Sequence, residues 1–117
     1  MQGKYAMSEK KNGKDDYIIV RVDPDLIDII PPFLENRKKD IRSILESLKI
    51  EDYETIQIFG HSMKGSGGGY GFHVITDIGR SLEEAAKKKD TDAIKKCLKD
   101  LSHYLERVRW SADNSVP

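Results

Sequence analysis

Apolar residues recur every three to four positions through four separate stretches of this chain, the spacing of a helix with one buried face. From Pro32 to about Leu48, the residues Phe33, Leu34, Ile41, Ile44, Leu45 and Leu48 share an arc. Arg37 falls among them, with a stem expected to snorkel along the apolar surface. From near Glu51 to Gly69–Gly71, the arc is Tyr53, Ile56, Phe59, Met63 and Tyr70, and the closing glycines suit a left-handed cap. A third arc runs from Phe72 to about Lys89 through Val74, Ile75, Ile78, Gly79, Leu82, Ala85 and Ala86. The last spans Thr91 to Trp110, with Ala93, Ile94, Cys97, Leu98, Leu101, Tyr104, Leu105 and Val108 inward. Short connections favour antiparallel neighbours, so the predicted class is all-α, an up-and-down four-helix bundle.

Residues 1–16 are polar and without periodicity, which predicts a flexible tail ahead of one helical domain over 17–117. Tyr17 to Val22 is rich in β-branched residues, but no partner run is evident. A lone strand cannot make a sheet, so this segment is expected to strap the helices. Asp23-Pro24 reads as an N-cap followed by proline at the first helical position, opening a short extra helix to about Ile30. Leu26, Ile27, Ile29 and Ile30 are its residues to bury, and Pro31-Pro32 interrupts or restarts it.

Charge narrows the classes of partner. Lysine and arginine number 20 and aspartate and glutamate 20, so the basic excess of a nucleic-acid binder is missing. Apolar runs such as Tyr17-Ile18-Ile19-Val20 fall far short of the ~20 residues a membrane span needs, which makes the expected location cytoplasmic. Mixed-charge outer faces on the last two helices favour a monomer. Cys97, the single cysteine, occupies an apolar helical position and is expected to pack as a small hydrophobe. His61, His73 and His103 have no zinc-ligand spacing, so no metal site is expected.

His61 is the residue with chemistry. It projects nearly opposite the apolar arc of its helix, with Lys64 and Gly65 one turn ahead and Gly68 two turns ahead on the same strip. Each interior glycine costs about 1 kcal/mol relative to alanine, so Gly60, Gly65, Gly67, Gly68 and Gly69 together are expensive. Gly60 and Gly67 lie toward the arc, where a neighbouring helix could approach closely. Gly65 and Gly68 border the histidine on the solvent side, which suggests that something else must come close to the ring. A free imidazole is largely neutral near pH 7, and its unprotonated nitrogen can attack phosphorus without a dedicated base. Lys64 would offset the charge of an arriving phosphoryl group, and Gln57 could hydrogen-bond the ring or the phosphoryl oxygens. Ile58 offers an apolar contact on the same side. No acidic residue lies within one turn on this strip, and Glu54 is two turns back.

The run His61-Ser62-Met63-Lys64-Gly65-Ser66, with Gly71 ten positions after the histidine and Ile78-Gly79-Arg80-Ser81-Leu82-Glu83 following, resembles the histidine-containing phosphotransfer domain of bacterial multistep phosphorelays. The resemblance covers about residues 24–110 and is densest from Gly60 to Glu83. Met63 stands where that family carries leucine, and the Gly67-Gly68-Gly69 triplet replaces mixed small and polar residues. The resemblance implies that His61 is phosphorylated, that Lys64 and Gln57 accommodate the phosphate, and that Gly65 gives access to a receiver domain. Gly68, Ile58 and Ser62 would border the docking partner. The implied partners are response-regulator receivers and a hybrid histidine kinase. The chain itself would be a carrier without kinase activity or cofactor, since the magnesium ion for transfer belongs to the receiver. A nucleotide-phosphate loop is a poorer reading, because Lys64 precedes Gly65-Ser66 and the upstream segment has helical period. The alternative from another class is a helical adaptor that binds a partner through the glycine-bared face and leaves His61 and Lys64 incidental.

Overall fold

The computed structural model describes residues 17–113, so the predicted tail over 1–16 and the last four positions of the predicted domain lie outside the described residues. The described residues are mostly helical, with four long helices and one small sheet. Strand β1 spans Ile18–Val22, and a 3-10 helix over Pro24–Ile29 leads into α1, Ile30–Lys49. Then come α2, Tyr53–Ser66; a 3-10 turn, Gly68–Tyr70; α3, His73–Lys87; α4, Thr91–Arg107; and strand β2, Val108–Ala112. Helix α2 packs on α3, α3 on α4, and α1 against both α2 and α4. No helix among the described residues is long and apolar enough to cross a membrane.

Side-chain caps open the 3-10 helix, α2 and α4. Asp23 accepts a hydrogen bond from the Asp25 amide at 2.9 Å, Asp52 from Thr55 at 3.1 Å and Asp90 from Ala93 at 3.1 Å. The Asp52 carboxyl sits below the ordinary range, chiefly because the Thr55 hydroxyl also donates to it at 2.7 Å. Burial follows the apolar arcs, except that Leu45 of the first arc is 42 % exposed. Ile44, Ile56, Met63, Ile75, Leu82, Ile94 and Leu101 are fully enclosed, and Cys97 is buried as expected. The Phe33 ring lies 4.6 Å from that of Tyr70 and 5.9 Å from that of fully buried Phe72, joining α1 to the turn before α3.

Four expectations need correction. The β-branched N-terminal segment does find a partner: β1 pairs in parallel with β2, Ile18 opposite Val108 and Val22 opposite Ala112. The last helix therefore stops at Arg107 rather than Trp110, because Val108 turns extended at φ −73° and ψ 135°. Parallel strands need a long crossover, and here all four helices supply it. The short first helix is 3-10, with three residues per turn, so Ile27 and Ile30 fall on one face while Ile29 points outward. Arg37 does not snorkel to water. Its guanidinium lies 5.0 Å over the Phe33 ring, and its Nε meets Asp40 at 2.7 Å with both side chains largely covered. Burial raises the Asp40 carboxyl despite that cation.

Candidate functional site

Helices α2 and α3 approach so closely that their backbones touch, and glycine is the reason. A Cβ at Gly60 would lie 2.6 Å from the Glu83 nitrogen, one at Gly79 would lie 2.5 Å from the Lys64 nitrogen, and one at Gly67 would lie 2.7 Å from the Thr76 nitrogen. The sequence indices run in opposite directions along the contact, so the helices are antiparallel, with His61 near Glu83 and Lys64 near Gly79. The close-approach role expected of Gly60 and Gly67 is what the geometry gives them. Gly79 completes it from the facing helix.

Across this seam a single carboxylate joins the two candidate residues. Glu83 Oε2 lies 3.1 Å from His61 Nδ1, and Glu83 Oε1 lies 2.8 Å from Lys64 Nζ. The imidazole is 72 % exposed while the carboxylate is only 9 % exposed, so a nearly buried anion holds a solvent-facing ring. The Glu83 carboxyl is held below its ordinary value, first by the Lys64 hydrogen bond, against the opposing effect of burial, and then by His61. An ionised carboxylate can only accept, so His61 Nδ1 must donate. In the neutral ring that leaves the lone pair on Nε2.

The remaining expected residues separate into two groups. Gly65 is exposed, and a Cβ there would meet nothing within 4 Å, so the surface beside the ring is open as its position suggested. Ser62 is exposed and Ile58 is 63 % exposed, both on the His61 side of α2. Gln57 is half-buried one turn before His61, but the imidazole's hydrogen-bond partner is Glu83. Gly68 does not border the histidine. Helix α2 ends at Ser66 instead of continuing to Gly69–Gly71, so Gly68 turns toward α3, where its Cβ would meet His73 and Thr76 at 3.4 Å. Of the closing glycines, Gly71 takes the left-handed conformation, at φ 95°, and it closes the 3-10 turn rather than α2.

Glu83 is the site residue that single-helix reasoning missed, since it belongs to another helix from His61. Its signal was present in the spacing: position 83 is four after Gly79 and three before Ala86, both on the inward arc of α3. A carboxylate flanked by small residues at the edge of a buried arc calls for a cationic or hydrogen-bonding partner. His73 and His103 are exposed. Among the described residues no group of three or more histidines, cysteines and carboxylates could hold a metal ion. No family model, curated protein or solved structure matches the chain.

Proposed function

We propose that this protein is a histidine phosphotransfer carrier, in which an up-and-down bundle of the four helices presents His61 to receiver domains. The observation that carries the reading is the Glu83 carboxylate, which fixes the proton on Nδ1 of an exposed ring and so reserves Nε2 for attack. The Nε2 lone pair forms a bond to phosphorus as the bond from phosphorus to a receiver aspartate oxygen breaks, and the aspartate leaves as carboxylate. The phosphorylated ring retains its Nδ1 proton and acquires positive charge, which Glu83 stabilises at 3.1 Å. Lys64 can turn from Glu83 toward the phosphoryl oxygens. A second receiver reverses the sequence. Magnesium for the transfer is supplied by the receiver, and Gly65, Ile58 and Ser62 form the approach surface.

Incubation with a phosphorylated receiver is expected to label the protein through an acid-labile, base-stable bond and to leave His61→Gln unlabelled. Equal labelling of the two would overturn the site. The adaptor reading makes the opposite forecast, with no phosphate uptake and partner binding indifferent to His61→Gln.

A further inference from the structure

Thr76 sits where the ladder of α2 breaks. In an uninterrupted α-helix the Gly68 N–H would donate to the Lys64 carbonyl four residues earlier. Here the Gly68 N–H donates to Thr76 Oγ1 at 2.7 Å, and that hydroxyl donates to the Lys64 carbonyl at 3.2 Å. One side-chain hydroxyl from α3 is thus inserted into a bond of α2. The preceding ladder bond is still made, since Gly67 N–H reaches the Met63 carbonyl at 3.0 Å. The helix ends where the inserted hydroxyl begins.

Lys64 is consequently gripped by α3 at both ends. Its carbonyl is tied to Thr76, its backbone nitrogen lies against Gly79, and its ammonium reaches back to Glu83 at 2.8 Å. Side chains on a helix lean toward its N-terminus, which from Lys64 means toward His61. We infer that Thr76 is a positioning residue that fixes the root of Lys64, so that its ammonium can exchange Glu83 for a phosphoryl group on His61 without the helix end shifting. The inference rests on the carrier reading above. Diverting Gly68 onto α3 also ends the accessible strip at Gly65, leaving that side of the ring clear.

The test compares Thr76→Val, which keeps the branched shape and loses the hydroxyl, with Thr76→Ser, which keeps the hydroxyl. Valine is expected to speed hydrogen exchange at the Gly68 amide about tenfold, the loss of one ordinary hydrogen bond. It should also slow phosphoryl transfer from a receiver by about fivefold or more per folded molecule, while serine preserves both. Because Thr76 acts through Lys64, adding Thr76→Val to Lys64→Ala should slow transfer no further than Lys64→Ala alone. Additive losses would overturn the positioning role, as would a valine variant of lower melting temperature that transfers at the wild-type rate. Should valine fail to fold, Thr76→Ala adds no bulk against Gly67 and carries the same expectations. Wild-type protein that takes up no phosphoryl group would defeat the carrier reading instead, and the Gly68 exchange rate would still decide whether the hydroxyl bridge exists.

Discussion

The seam between α2 and α3 and the seam between α1 and α4 are built on opposite principles. In the first, Gly60, Gly67 and Gly79 let backbone meet backbone, and Glu83 and Thr76 of α3 hydrogen-bond to His61 of α2 and to the Gly68 amide just past its end. In the second, side chains keep the helices apart. Two adjoining grooves of about 410 and 480 Å³ share Lys38, Leu105 and Glu106 as lining residues. Leu45 beside them is still 42 % exposed. A side-chain seam can adjust to a lost methyl, whereas a backbone seam has nothing flexible to move. The site that needs fixed distances among His61, Glu83 and Lys64 lies on the inflexible seam.

The sharpest way to break this contrast is a matched pair of alanine substitutions. Gly79→Ala gains about 1 kcal/mol of helix propensity, but its Cβ meets backbone at 2.5 Å and must push the helices apart. The clash should win, for a net loss of about 2 kcal/mol or more, whereas Leu45→Ala should cost at most about 1 kcal/mol. Urea denaturation of both variants checks the difference, and similar losses would show that the seams are equally compliant.

Glu83→Gln probes the polar part of the same seam. The folded carboxyl lies below its ordinary value of 4.5, so its ionised form stabilises the fold above that pH and the contribution fades as pH falls through the lower folded value. The glutamine variant should therefore be less stable than wild type at pH 7, with the gap closing as pH falls below 4.5 and through the lower folded value. Denaturation midpoints across that range test the sign. A gap that does not narrow as pH falls below 4.5 would mean that the carboxylate charge is not what matters.

The smallest effect on folding is expected at the one α2 glycine with open space. Gly65→Ala should leave stability unchanged or raise it by up to about 1 kcal/mol. Gly65→Leu should fold comparably yet accept phosphate slowly, because its side chain occupies the approach to the ring. Unimpaired transfer in Gly65→Leu would show that the opening beside His61 serves no partner.

Much of the molecule was legible before folding was considered. The arcs through Ile56 and Met63, through Ile78 and Leu82, and through Leu98 and Leu101 each carry the helical period within a short stretch, and these residues are buried as expected. The outward placement of His61 and the vacancy at Gly65 follow from the same period. Strand β2 was hidden because Val108 continues the inward pattern of α4, and because its partner Ile18 lies at the far end of the domain. The end of α2 was hidden for a related reason: the hydroxyl that intercepts Gly68 comes from another helix.

Taken alone, the sequence determined which residues form helices, which face of each is apolar, and that one histidine stands in water beside a lysine and a glycine. Only the tertiary structure decided that Glu83 joins that histidine to that lysine, that Thr76 closes α2, and that the first and last segments pair as strands. Helical periodicity is written into neighbouring residues and survives reading one segment at a time. A bond between segments depends on register and distance of approach, and here those were set by where two packed helices could bring their glycines together.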